Sequence, residues 1–190
     1  LAGNDIASAI TVATSGAVEI DNTHPSISSV TFDSGDYVNN AEDESAINLV
    51  IVTSGAEDTE TVTATLNGAD YTCDLSSNTC TASITSAALK ALTDGNSYTF
   101  SVAVSDTAGN AATANTDESF TYDVTAPTMT ISSTTVSSGD TSNDATIALA
   151  FASSESTANL ISGEVTLSAG SIGSTFAGSG TSYTATFTPS

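Results

Sequence analysis

The sequence predicts an all-β protein built from β-sandwich modules, and two observations support this prediction. Short segments in which apolar and polar residues alternate recur along the chain, separated by Gly, Asn and Asp turn residues. A five-residue motif, D-x-T-x-P, occurs twice, at 21–25 and at 123–127, with an offset of 102 residues. Each copy is called a D-x-T-x-P word below. Seven or so short strands in about 100 residues are typical of a sandwich with Greek-key links. One module per repeat is therefore expected.

The predicted elements follow one another between the two D-x-T-x-P words. They are strands at 26–32, 47–52, 62–66, 71–73, 80–84, 98–104 and 119–122, with a short helical piece at 86–92. Asn67-Gly68 is a typical hairpin turn. Tyr98 stands at the start of the penultimate strand, just after a turn, which predicts a tyrosine corner in which its hydroxyl reaches back to upstream backbone.

The repeat also sets the expected module boundaries. Residues 21–122 are predicted to form a complete sandwich, and residues 123–190 a partial one that lacks its last strands. Ala2-Gly3-Asn4 precedes the first D-x-T-x-P word as Ala108-Gly109-Asn110 precedes the second. Residues 1–20 are therefore interpreted as the closing strand of a preceding or neighbouring module.

Three interpretations of the incomplete ends stay open. The chain is a slice of a tandem array, or a self-assembling filament subunit whose residues 1–20 complete the open module of a neighbour by strand addition, or its true boundaries differ. Strand addition between copies makes a head-to-tail contact that does not close, and therefore a filament. Residues 1–20 and 123–190 together are about one strand short of a full repeat.

Charge excludes several classes of function. The chain has 22 acidic residues, one lysine (Lys90), no arginine and one histidine, which gives a net charge of -21. Nothing in it can neutralise phosphates, so no nucleic-acid partner is expected. No apolar run approaches the ~20 residues that cross a bilayer, so no membrane insertion is expected. Saline or calcium-containing extracellular surroundings would relieve the repulsion between carboxylates.

The two cysteines point to the same compartment. Cys73 and Cys80 flank six residues in a stretch that resembles a hairpin, and a disulfide across that hairpin is predicted. A disulfide implies an oxidising compartment. The protein is therefore expected to be secreted or on the cell surface.

Three sequence motifs of this chain together resemble those of a known family. The D-x-T-x-P linker, the turn Asp106-x-Ala108-Gly109-Asn110 and the L-x-D-G-x-x-Y segment at 92–98 resemble bacterial Ig-like repeats, which form stalks of large surface adhesins and related extracellular proteins. Segments 150–155 and 183–189 are similar to strands of the same module. The resemblance implies tandem Ig-like Greek-key β-sandwich modules with a structural or adhesive function, whose partners are copies of the chain or adjacent Ig-like modules.

The resemblance also implies calcium at the joints between modules. Ig-type topology would bring one set of oxygen ligands together at the linker and a second pair at the next joint; these are Asp21, Glu57, Asp58, Asp106 and Asn110, and then Asp123 and Glu155. Ca²⁺ binds carboxylate, amide and backbone oxygens, and would stiffen a hinge that only Pro25 and Pro127 restrict. The alternative is ordinary turn chemistry, which uses the same residue types. A weaker second set at the opposite end comprises Asp33, Asp36 and Asp94.

No enzymatic activity is expected. His24 is the only imidazole and stands before Pro25 in a linker, where it is a poor general base for a serine triad. An alternative from another class is a carbohydrate-binding sandwich that recognises surface glycans, for which Tyr37 and Tyr71 are the candidate stacking rings.

Overall fold

The computed structural model describes residues 20–115, 117–158, 160–173 and 176–190. These residues form two compact units, here called unit 1 (20–124) and unit 2 (125–190). Residues 1–19, which carry most of the predicted closing strand, lie outside the described residues. The predicted boundaries 1–20, 21–122 and 123–190 stay predictions.

Unit 1 is almost entirely β. Its strands are β1 (Ser26–Phe32), β2 (Tyr37–Val38), β3 (Ile47–Ser54), β4 (Thr61–Leu66), β5 (Ala69–Asp74), β6 (Thr79–Ile84), β7 (Asn96–Thr99), β8 (Ser101–Ala103) and β9 (Ser119–Tyr122). A single turn of helix, α1 (Ser86–Leu89), lies between β6 and β7. This helix is shorter than predicted. Its N-cap is Thr85, whose hydroxyl oxygen accepts a hydrogen bond from Ala88 N.

The strands of unit 1 form two layers. One layer is the antiparallel sheet β1-β3-β6. The other contains β2-β9-β7 and β5-β4-β8, which join because only Phe100 separates β7 from β8 and its backbone N–H donates to Glu118 O at 2.9 Å. The strand order of this layer is therefore β2-β9-β7/β8-β4-β5, with β2 parallel to β9.

The core lies between these layers, as alternation predicts. Phe32 of β1 packs against Phe120 of β9 and against Phe100, with ring centroids 4.8 and 5.1 Å apart. Leu49, Ile51, Val62 and Val102 belong to the same buried cluster and are fully buried. Unit 1 is an Ig-like sandwich.

Two local predictions are confirmed. Tyr98 Oη accepts a hydrogen bond from Thr93 N at 2.7 Å, which is the tyrosine corner. This donation lowers the pKa of Tyr98. Asn67 and Gly68, with φ of 49° and 80°, form the two-residue turn between β4 and β5.

The disulfide prediction is confirmed, but its setting was predicted wrongly. Cys73 and Cys80 are bonded, with Cα atoms 5.7 Å apart. The strands that carry them do not form a hairpin: β5 pairs with β4 in one layer, and β6 pairs with β3 in the other. The four residues between Asp74 of β5 and Thr79 of β6 cross between the layers, so the disulfide ties the two sheets together.

Unit 2 contains one antiparallel sheet. Its strands are β10 (Met129–Ser133), β11 (Ile147–Thr157), β12 (Ser171–Ile172) and β13 (Ala177–Thr188), in the order β10-β11-β13-β12, with a 3-10 turn at Ser162–Glu164. Phe151, Tyr183 and Ala185 form the buried core of this unit, and Phe151 meets Phe176 edge-on with centroids 5.1 Å apart. Within the described parts of the chain, no helix has the length and apolar character needed to cross a membrane.

Candidate calcium site at the linker end of unit 1

The linker that precedes β1 is hydrogen-bonded to the loop between β8 and β9. Asn110 Nδ2 donates to the backbone carbonyl of Asp21 at 3.1 Å. His24 Nδ1 lies 2.8 Å from the carbonyl oxygen of Ala111, which fixes the ring as the donor. The Asp21 side chain accepts from Thr23 N at 2.8 Å. The structure therefore brings Asp21 and Asn110 together, and holds His24 in a structural contact.

The loop itself is organised around a buried carboxylate. Asp106 is only 4% exposed; its Oδ1 accepts from Asn110 N at 2.7 Å and its Oδ2 from Asn110 Nδ2 at 2.9 Å. These donors, chiefly the Asn110 side chain, lower the pKa of Asp106. Asp106 is therefore stabilised as an anion by its own loop.

Two further carboxylates approach the same loop from the segment between β3 and β4. Glu57 Oε2 accepts from Thr107 N at 3.0 Å, and Glu60 Oε1 accepts from Thr107 Oγ1 at 2.8 Å. Glu60 was missed by sequence reasoning, although it follows Glu57 by three residues. Asp58 bonds elsewhere, to Ser77 N at 2.7 Å in the crossing between β5 and β6.

The residues as arranged do not make a finished calcium site. Among the described residues, no three His, Cys, Asp or Glu side chains are grouped so that they could hold a metal ion. Asp106 and Glu57 accept hydrogen bonds from N–H groups, which is the turn chemistry that the sequence offered as the alternative. A ligand role for Asp21, Glu57, Asp58, Asp106 and Asn110 stays a prediction.

The second predicted pair is divided between the units. Asp123 belongs to unit 1, where its backbone N–H donates to Val38 O at 2.9 Å. Glu155 belongs to β11 of unit 2, and its Oε1 is buried with no hydrogen-bond partner among the described residues. Their joint role in binding calcium also stays a prediction.

The weaker set, Asp33, Asp36 and Asp94, is held by separate contacts. Asp94 Oδ1 accepts from Val124 N at 2.9 Å, where the chain leaves unit 1. Asp36 O accepts from Thr121 N at 2.8 Å, and Asp33 N donates to Asn48 O at 3.0 Å. The backbone contacts of Asp33 and Asp36 belong to the fold rather than to a ligand.

The sequence analysis did not identify one buried carboxylate, that of Asp43, which lies beside Tyr122 at the end of β9. Asp43 is 3% exposed; its Oδ2 accepts from Tyr122 Oη at 2.6 Å, and its Oδ1 has no partner among the described residues. The adjacent Glu44 pairs with Lys90 at 2.8 Å, so Lys90 has a partner that the sequence did not suggest. The run Glu42–Glu44 resembles a solvated acidic turn and gives no signal that its middle residue is buried.

The two candidate stacking rings have different environments. Tyr37 is 62% exposed, whereas Tyr71 is half-buried and packs against the core of unit 1. Tyr37 is therefore the more exposed of the two candidate rings, and a stacking role for either ring stays a prediction.

Comparisons with known proteins give similarity at the level of structure. No known family model matches the chain, and no curated protein matches it. The chain is similar to a solved part of a 1.5-MDa bacterial ice-binding adhesin studied for host cell surface retention, with 25% identity, a TM-score of 0.44, and coverage of 84% of this chain and 52% of that one. It is similar to a bacterial immunoglobulin-like domain of the M. primoryensis ice-binding adhesin, with 25% identity, a TM-score of 0.36, and coverage of 50% and 95%.

A third similar structure is a Ca²⁺-stabilised adhesin with which an Antarctic bacterium binds ice, with 22% identity, a TM-score of 0.40, and coverage of 86% of this chain and 41% of that one. The chain thus spans about half, or less, of the first and third structures. Because all three TM-scores lie below 0.5, the fold assignment rests on the strand pairing of the chain itself. Solved structures similar to this chain include bacterial Ig-like domains of an ice-binding adhesin.

Proposed function

We propose that the chain is a non-enzymatic structural module of an extracellular fibre or adhesin stalk. One observation carries this proposal: the chain enters unit 1 at one end and leaves it at the other. Asp21 is bonded to the loop before β9, where Ser105 pairs with Ala111, whereas Asn96 pairs with Tyr122 at the far end of β9. A module that the chain traverses end to end acts as a spacer.

The pairing of β2 with β9 suits a spacer that carries tension. The two strands run parallel, and Thr121 N and Asp123 N donate to Asp36 O and Val38 O at 2.8 and 2.9 Å. Tension pulls β2 backward through β1 and β9 forward through the outgoing linker. These hydrogen bonds are then loaded along the strands together, rather than broken one at a time.

An extracellular location is supported by the disulfide and by the charge of -21. Lys90 provides the test, because it is the only lysine and its side chain is 43% exposed. An amine-reactive reagent that does not cross membranes should modify the Lys90 peptide on intact cells that make the protein. Lys90→Arg, which keeps the charge beside Glu44, should abolish that modification. Modification only after lysis would contradict the proposal.

Calcium at the linker end is a finer part of the proposal. Its support is that Glu57, Glu60 and Asp106 all lie against or beside Thr107 in a chain with one lysine. Calcium, when bound, would supply positive charge that relieves the repulsion between these carboxylates.

The test of calcium is a comparison of the full chain with and without EDTA. Removal of calcium should change the X-ray scattering profile before it lowers the melting temperature, because the joint softens before the modules unfold. The double variant Glu57→Gln/Asp106→Asn should not respond to calcium, whereas Asp144→Asn in unit 2 should respond as the wild type does. Identical scattering and melting with EDTA would refute the calcium part alone.

A further inference from the structure

The apolar face of the unit 2 sheet is uncovered beside β10. The register of the sheet places Ile131, Phe151 and Tyr183 in one row on the same face. Phe151 and Tyr183 are buried, whereas Ile131 is 57% exposed and Met129, two residues before it on that face, is 37% exposed. The side chains that bury Phe151 and Tyr183 therefore do not extend over β10 in the described part of the chain.

β10 also offers a free strand edge. In the order β10-β11-β13-β12, it pairs on one side only among the residues that the structure describes. Its sequence, Met-Thr-Ile-Ser-Ser, contains neither the charged residues nor the proline with which edge strands avoid further pairing. The opposite edge, β12, is only two residues long. β10 is therefore the less protected edge of this sheet.

Unit 1 shows what covers the corresponding strand. β1 follows the D-x-T-x-P word at 21–25, as β10 follows the word at 123–127. Phe32 at the end of β1 is buried against Phe120 of β9, with centroids 4.8 Å apart. β9 is the strand that directly precedes a D-x-T-x-P word. In unit 1, the strand before such a word therefore covers the inner face of β1 from the opposite layer.

The sequence of residues 1–20, of which 1–19 lie outside the described residues, supplies a second strand of this kind. It opens with Ala2-Gly3-Asn4 and leads into a D-x-T-x-P word, as residues 108–122 do. Between residues 2 and 20, every Ile and Val stands at an even position; these residues are Ile6, Ile10, Val12, Val18 and Ile20. Such alternation gives a strand one apolar face. At the 102-residue offset, Val18 corresponds to Phe120.

We propose that residues 1–20 of one copy of the chain pack over β10 in unit 2 of a second copy and cover Met129 and Ile131, as β9 packs over β1 from the opposite layer of unit 1. The inference rests on the proposed structural function, for which it names the partner. Each copy then donates at one end and accepts at the other. Such a head-to-tail contact does not close and builds a filament.

Two variants of the full chain separate the donor from the acceptor. Val18→Asp places a charge on the apolar side of the donor segment, and Ile131→Asp places one on the acceptor face. In sedimentation velocity at high salt, which screens charge repulsion, the wild type should form species whose mean mass rises with concentration. Each variant alone should stay at 18.8 kDa. Ser132→Asp adds the same charge to the other face of β10 and should assemble as the wild type does.

A mixture of the two variants gives the sharpest result. Val18→Asp retains an intact acceptor and Ile131→Asp an intact donor, so together they should form dimers of twice the chain mass and nothing larger. This holds even where Ile131→Asp perturbs unit 2, because that variant contributes only its donor segment.

Three results would overturn the inference. They are a wild type that is monomeric at every concentration, a Val18→Asp variant that assembles as the wild type does, and a variant mixture that stays monomeric. A monomeric wild type whose melting temperature falls with Val18→Asp would mean that the segment covers the sheet of its own chain. None of these results alters surface labelling of Lys90, so the proposed function is judged separately.

Discussion

Tyr122 Oη donates a 2.6 Å hydrogen bond to Oδ2 of Asp43 in the core of unit 1. Both residues are less than 5% exposed, and they are 79 positions apart in sequence. Tyr122 ends β9, the strand through which the chain leaves the module. The bond therefore fixes the outgoing strand to the segment between β2 and β3.

Removing the Tyr122 hydroxyl should destabilise unit 1. Tyr122→Phe leaves Asp43 buried without the donor to Oδ2, and hydrogen bonds to charged groups contribute about 1.5–3 kcal/mol. We expect the free energy of unfolding of unit 1 to fall by about 2 kcal/mol, measured by urea denaturation. Tyr37→Phe, at an exposed ring on the neighbouring β2, is the matched control and should change stability by less than about 0.5 kcal/mol. Equal effects of the two substitutions would show that the buried bond contributes nothing.

The same bond makes stability depend on alkaline pH. Hydrogen bonding to Asp43, followed by burial and the charges of Asp43, Asp94 and Glu44, raises the pKa of Tyr122 from 10.0 to about 12. A group whose pKa is higher in the folded state contributes its full stability below pH 10 and loses it as pH rises toward 12. Denaturation measured across this range should show a steeper decline for the wild type than for Tyr122→Phe. Parallel declines would contradict the assignment.

The Cys73–Cys80 disulfide, which ties the two sheets together, should stabilise unit 1. A disulfide that closes so short a loop contributes roughly 2–3 kcal/mol by the loop-entropy estimate. Reduction should lower the urea midpoint of the wild type by a corresponding amount, and the double variant Cys73→Ser/Cys80→Ser should match the reduced wild type. The reductant should leave the double variant unchanged. A wild type that is indifferent to reduction would show that the bond does not constrain the unfolded chain.

The turn between β4 and β5 needs its glycine. Gly68 has φ +80°, and no atom of the other described residues lies within 4 Å of the position that a Cβ would take, so Gly68→Ala acts through backbone strain. We expect a loss of about 1 kcal/mol in thermal or urea unfolding. Gly163→Ala, where the space is equally open and φ lies outside the strained range, is the control and should be close to neutral. A neutral Gly68→Ala would mean that the turn relaxes to another form.

Local patterns predicted much of unit 1. The strands β1 and β4, the Asn67-Gly68 turn and the Tyr98 corner each depend on residues within a few positions, and the structure confirms them. β2 was missed because two residues are too few to show alternation. The six-residue gap between Cys73 and Cys80 fits both a hairpin and a crossing between sheets, and only the pairing of β5 with β4 decides between them.

The candidate site was predicted less completely, because its contacts join distant segments. Ig-type topology placed Asp21 near Asn110 in the sequence analysis, and the structure contains a hydrogen bond between these two residues. Glu60 joins the same loop through Thr107, 47 residues away, and Asp43 is buried by a tyrosine 79 residues away. Neither acidic residue differs in local sequence from its solvated neighbours, so periodicity and composition could not identify them.

Mechanical unfolding measures whether unit 1 carries tension between its two linkers. The full chain is held between two reference domains, either by its ends or by its N-terminal end and an attachment at residue 68 in the β4–β5 turn. We expect unit 1 to rupture in one step and at a higher force when the chain is held by its ends, because the β2–β9 hydrogen bonds are then loaded in shear. Rupture at equal or lower force through the ends would contradict the claim.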